Sequence, residues 1–299
     1  MPREENVIVR QAWKLEKDLF YSLVSKSLKI LPASRRAAVS IVLRFGSLSR
    51  DIPVDSTRSL LDFLQYIEVS GASNLQILYI QRAKQANDPW SGHIAFPGGR
   101  QEGNEKDIET AIRETKEEVG LDLGNWRHFI CIGRLSDREI RLRNRSLNDS
   151  AYCAFVFLQL TAATPPLKLC PSEVASAFWV SLDTFLLYGD QLLCTKAIER
   201  KWDIWWFRWL SYLLPKSIYH WLALDRVYFS AIALKPWVVA MEYAKDGVIA
   251  AGRDDPLWLW GLTLAATSDL LESVMDKRLD HIFVTPANRL VSWWIPSKC

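Results

Sequence analysis

The chain has no cysteine pair at CxxC spacing. Its five cysteines (Cys131, Cys153, Cys170, Cys194, Cys299) are scattered. That excludes a zinc ribbon and argues against a disulfide framework, so reduced, mostly buried thiols are expected. Nor do the four histidines (His93, His128, His220, His281) have metal-ligand spacing. No apolar run reaches the ~18–20 residues of a helical membrane span. An excess of either charge is lacking: 37 Lys and Arg stand against 34 Asp and Glu, a formal net charge of +3. A balance that small gives no argument for nucleic acid, and no nucleic-acid partner is expected. Arg3, Glu4, Glu5 and Arg10 interrupt any secretory pattern at the start. There are no internal repeats.

What is present is an ordinary globular composition, 49% hydrophobic and 24% charged over 299 residues. One stretch organises it, Gly99 to Leu121, GRQEGNEKDIETAIRETKEEVGL. His93–Phe96 reads as a strand, and Pro97 breaks it before the Gly98-Gly99 turn. Asn104 is the expected cap of the helix that follows, with Asp107 in its first turn. The helix is expected to run to Val119, with Gly120 as its left-handed stop. Glu114, Glu117 and Glu118 stand at i, i+3 and i+4 and so share one face. Carboxylates packed this closely repel, unless a hard divalent cation with oxygen ligands turns the repulsion into binding.

The fixed spacing is G-x5-E-x7-R-E-x-x-E-E-x-G-L, carried by Gly99, Glu105, Arg113, Glu114, Glu117, Glu118, Gly120 and Leu121. It resembles the signature of the Nudix hydrolases, Mg²⁺- or Mn²⁺-dependent enzymes that cleave a diphosphate linked to another moiety. Thr115 departs from it, standing where the family usually has an aliphatic residue. The resemblance implies that Glu114, Glu117, Glu118 and the Gly99 carbonyl hold the metal. Arg113 can pair with Glu117 one turn on, and Glu105 is a plausible partner of the site. The general base stays open between a helix glutamate and Glu173. A non-catalytic binding module is the alternative to an enzyme, but such modules usually lose box glutamates, and all are present here.

Around this helix the pattern alternates. Strands are expected at 37–45, 77–82, 129–135, 151–160 and 228–234, and helices near 60–67, 182–188 and 258–274. Strands around a central helix imply an α/β fold with a mixed sheet between helices. That agrees with the α/β/α sandwich which the resemblance implies. The expected organisation is an N-terminal helical extension over 1–35, a Nudix hydrolase domain over 36–275 and a tail over 276–299. A helical tryptophan-rich insertion is expected at about 191–225.

Specificity must come from outside the metal helix. Arg82, Gly92 and Phe96-Pro97-Gly98-Gly99 resemble the stretch before the box in coenzyme A diphosphatases. Ala83 stands where Ser is common there, and the Arg-to-Gly gap looks one residue longer. The substrate expected from this is coenzyme A or acyl-coenzyme A, with NADH or ADP-ribose as the alternative. Arg82, Lys84 and Arg100 are the candidate substrate-binding residues.

The chain is rich in tryptophan: fourteen residues, eleven of them after 178 and five from 202 to 221. Trp202, Trp205, Trp206, Trp209, Leu210 and Leu213 form a helical stripe flanked by Lys and Arg. Packing on the domain, a homodimer contact and a peripheral membrane contact through 202–222 are the readings it allows. The compartment stays open among peroxisome, mitochondrion and membrane surface, since Ser297-Lys298-Cys299 differs from a peroxisomal address at its last residue.

Overall fold

A computed structural model describes residues 17–23, 25, 27–53, 55, 59–86, 91–140, 150–199, 226–243, 256–272 and 279. The tryptophan-rich stripe at 202–213, the basic residues 141–145, the first sixteen residues and the tail from 280 lie outside them.

The elements run β1 (Arg35–Ser47), α1 (Leu60–Ser70), β2 (Ser73–Arg82), β3 (Ile94–Ala95), β4 (Gly98–Arg100), α2 (Asp107–Val119) and β5 (Phe129–Arg134). They continue β6 (Arg138–Glu139), β7 (Ser150–Gln159), β8 (Val174–Ser181), α3 (Leu182–Leu192), β9 (Leu193–Glu199), β10 (Arg226–Ala233), β11 (Val238–Tyr243), β12 (Trp258–Trp260) and α4 (Gly261–Leu271). Residues 17–23 are helical, with Leu19, Phe20 and Leu23 buried.

The main sheet has the order β11-β8-β2-β1-β7-β5. β1 and β7 are parallel, and the other pairs are antiparallel. β7 reads SAYCAFVFLQ and is buried throughout, as a strand covered on both faces should be. The interior strands β1 and β2 alternate between two apolar clusters. Ile41, Leu43, Ile77 and Tyr79 face the cluster joined by α1, α3 and α4. Ala38, Val42, Leu78 and Ile80 face the cluster joined by Ala111 and Val119 of α2. The result is an α/β sandwich: α2 packs on one face, and α1, α3, α4 and the helical residues 17–23 contribute to the cluster on the other.

At β3 and β4 the sheet parts. β2 leaves β1 and pairs β3 through Ile80↔Ala95 and Gln81↔Ile94. β1 pairs β4 through Ala38↔Gly99 and Val39↔Gly98. The chain before α2 thus forms a wedge between two core strands.

Two expectations change. α2 begins at Asp107, and its cap is Lys106 rather than Asn104: Lys106 N–H donates to the Glu109 carboxylate at 2.9 Å. A Glu three residues past the cap outcompetes Asn104 for the entry. The closing element is not one helix over 258–274. Trp258–Trp260 pairs with β10, and the helix starts at Gly261, whose φ of +64° makes the turn.

Candidate active site

The site begins with two glycines that let backbone reach α2. At Gly98 a Cβ would lie 2.4 Å from the Ala38 carbonyl oxygen and 2.5 Å from Val39 Cα. At Gly99 it would lie 2.4 Å from the Glu114 carboxylate. Only bare backbone fits between β1 and this side chain.

α2 then presents its carboxylates. Gly120 closes it with φ +76°, its N–H donating to the Lys116 carbonyl at 3.0 Å. Arg113 gathers the acidic groups. Its Nε donates to Glu105 at 2.7 Å, and one terminal nitrogen donates to Glu114 at 3.1 Å and Glu117 at 3.0 Å. The other reaches the Arg100 carbonyl at 3.1 Å. Hydrogen bonds from Arg113 hold the Glu105 carboxyl down at about 2. The expected Arg113–Glu117 pairing and the partnership of Glu105 are thus both present.

Glu118 points inward and is 3% exposed. Its Oε2 accepts the Gly98 N–H at 2.9 Å. Burial pushes its carboxyl up to about 8, opposed by the Gly98 N–H and raised further by the charges of Glu114 and Glu173. Glu114 is raised as well, by burial first, with Arg113 opposing. Glu173 is held at the front of β8: the Ala83 N–H donates to its carbonyl at 2.7 Å. Its charge acts on both Glu114 and Glu118. Among the described residues no three acidic, histidine or cysteine side chains converge as a ready metal cage. Arg113 draws Glu114 and Glu117 sideways, while Gly98 holds Glu118.

The donor set nevertheless fits a hard divalent cation. It is all oxygen, and the Glu118 carboxyl is raised first by burial and then by the neighbouring charges of Glu114 and Glu173. The Gly99 backbone lies against the Glu114 carboxylate, where a Cβ would stand 2.4 Å from it.

The substrate candidates are dispersed around this centre. Arg82 ends β2, and its charge is within electrostatic reach of Glu118. Lys84 and Arg100 are exposed, on either side of the β3–β4 wedge.

Two features had no sequence signal, because their members are far apart in the chain. Thr115 is fully buried, its hydroxyl 2.9 Å from Ser40 Oγ and 2.7 Å from the Ala111 carbonyl. Ser40 on β1 supplies the partner that an aliphatic residue would not need. Asp107 at the start of α2 accepts from Arg36 at 2.7 Å and Arg134 at 3.0 Å. Asp137 accepts from the same two arginines at 2.7 and 2.6 Å. Cys153 lies in contact with Arg36, and burial pushes its thiol up to about 12. It is a buried, unreactive thiol of the expected kind.

Residues 69–202 match the family model described as NUDIX domain. An uncharacterized protein of Schizosaccharomyces pombe is 34% identical over 206 residues, covering 67% of this chain. This chain spans 56% of that relative's length. A MutT/nudix family protein from Enterococcus faecalis is 15% identical, with 80% of this chain and 66% of that chain covered at a TM-score of 0.31. The Ap4A hydrolase of C. elegans, solved as a binary complex, is also 15% identical, with 52% and 85% covered at a TM-score of 0.31. The matched segment holds β2 to β4, the whole of α2 with its glutamates, and Glu173 at the head of β8. By the family match and the acidic helix behind a bare-glycine strand, residues 69–202 of this chain are a Nudix domain.

Proposed function

We propose that the chain is a metal-dependent hydrolase that cleaves a diphosphate bond joining a nucleotide to a second moiety. The observation that carries it is Glu118: a carboxylate buried to 3% exposure, fixed by the Gly98 N–H, with Glu114 and Glu173 beside it and no contacting cation of its own among the described side chains. A bound Mg²⁺ or Mn²⁺ supplies charge neutralisation to the diphosphate and lowers the pKa of a water.

Glu114, Glu117, Glu118 and the Gly99 carbonyl hold that cation. Arg113 keeps Glu114 and Glu117 oriented when the site is empty of substrate. It is itself braced by Glu105, whose second oxygen accepts the Thr110 hydroxyl at 2.9 Å. Proton removal from the attacking water falls to a helix glutamate or to Glu173. Glu173 sits on a different element from the helix, so it can face the substrate from the other side. Arg82 and Lys84 bind phosphate, and Arg100 lies at the rim.

Coenzyme A or acyl-coenzyme A is the first substrate choice, supported by the Arg82, Gly92 and Phe96–Gly99 pattern. NADH or ADP-ribose is the second. A panel of these four compounds with Mg²⁺ and with Mn²⁺ separates them by kcat/KM. Glu118→Gln keeps the shape and the Gly98 contact but removes the charge. It should lower turnover at least ~100-fold while leaving the fold intact. A folded Glu118→Gln protein of normal activity refutes the metal-dependent reading.

A further inference from the structure

The family match ends at residue 202, yet a later segment returns to the site. The Arg82 N–H donates to the His93 carbonyl at 3.0 Å, extending the register Gln81↔Ile94 by one residue. Residues opposite each other in an antiparallel pair share a face. Arg82 and His93 therefore lie together, on the face of β2 that carries Leu78 and Ile80 and is covered by α2. The Arg82 charge is within electrostatic reach of Glu118. Lys84 lies along the same strand end, its chain 3.7 Å from where a Cβ on Gly92 would stand.

Trp260 closes this group. It ends β12, and its ring meets His93 edge to face, centroids 4.8 Å apart at 71°. The Thr263 hydroxyl donates to the Ile94 carbonyl at 3.1 Å, which fixes the start of α4 against β3. Both rings are partly exposed. Two aromatic rings and two cations thus stand at the end of β2 that leads to the carboxylates. A flat ring carrying phosphates is the ligand chemistry that this combination suits: aromatic faces take the heterocycle, and Arg and Lys take the phosphate.

We infer that His93 and Trp260 form an aromatic wall that receives the planar heterocycle of the substrate's nucleotide half, with Arg82 and Lys84 beside it for phosphate. This rests on the diphosphatase reading above and deepens it. Selection for a base-bearing diphosphate depends on β12, outside the matched domain. A base-free diphosphate gains nothing from the wall.

The test is calorimetry of the full chain with Mg²⁺, titrating ADP and inorganic pyrophosphate separately. Trp260→Ala is expected to weaken ADP ~10-fold and to leave pyrophosphate within about twofold. Trp260→Phe, which keeps an aromatic face, is expected to hold ADP near the wild-type affinity. His93→Ala removes the second ring without touching the cap of α4, and is expected to weaken ADP alone. It decides the matter should Trp260→Ala not fold. Equal weakening of ADP and pyrophosphate, or unchanged ADP binding in these variants, overturns the wall. A wild type that binds neither compound and turns over none of the panel refutes the diphosphatase reading instead.

Discussion

Gly99→Ala separates activity from stability in a way few substitutions at this site can. The added Cβ would lie 2.4 Å from the Glu114 Cδ and Oε1 and 2.6 Å from Oε2. Ordinary contact between such atoms is near 3.5 Å, so the carboxylate must retreat by about 1 Å. What moves is the end of a flexible side chain, not backbone. The Arg113–Glu114 contact at 3.1 Å goes with it. Fold stability should change by no more than about 1 kcal/mol. A ~1 Å error at a reacting centre costs on the order of 100-fold in rate, and a metal ligand displaced that far weakens binding as well. Gly98→Ala is the contrasting case. There the Cβ meets the Ala38 carbonyl oxygen and Val39 Cα, both backbone, and φ is +148°. That should cost on the order of 3 kcal/mol or more, a fall in Tm of roughly 6–12 °C. Thermal melts, Mn²⁺ titration and turnover on the best substrate of the panel test the pair. A Gly99→Ala protein with unchanged metal affinity and turnover would show that Glu114 is not where the chemistry needs it.

Two further outcomes concern the frame. Asp137, with a side chain 0% exposed, accepts from Arg36, Arg134 and the Leu31 N–H. Asp137→Ala leaves two arginines underpaired and should cost ~3–5 kcal/mol by urea denaturation. Burial alone would raise the Asp137 and Asp107 carboxyls, but Arg36 and Arg134 outweigh it and hold both below the ordinary range. Their contribution is then full above the unfolded value of about 3.9 and lost as pH falls through the lower folded values. The gap between wild type and Asp137→Ala should narrow below about pH 4. A gap that stays constant down to pH 2 contradicts this. Thr115→Val and Ser40→Ala should each cost about 1 kcal/mol. The double variant should cost less than their sum, because the two hydroxyls face each other. Additive losses would mean that the pair is not coupled.

The acidic helix α2 was readable from the chain alone because its information is local. Glu114, Glu117 and Glu118 share a face by helical period, and Gly120 stops the helix by backbone geometry. Arg113 to Glu117 is one turn, so that contact too follows from spacing. The strands at 129–134 and 150–159 were legible as apolar, β-branched and aromatic runs. β3 falls inside the strand expected at 93–96, but the three-residue β4 was expected as a turn, since its pairing with β1 rather than its composition makes it a strand. The cap was not legible either, where Glu109 decided between Lys106 and Asn104.

Sequence by itself thus determined the order of acidic residues on α2 and the glycine that stops it. These depend on distances of a few residues, within which backbone geometry is nearly invariant. Only the tertiary structure decided which carboxylate is buried. Glu114, Glu117 and Glu118 are chemically alike. Glu118 alone turns under Gly98, where β1 and β4 close over it and water is removed. It likewise decided the partner of Thr115, the arginine pair around Asp107 and the approach of Trp260 to His93. Each joins residues that are distant along the chain, and their meeting is set by sheet order and register, which no local pattern encodes.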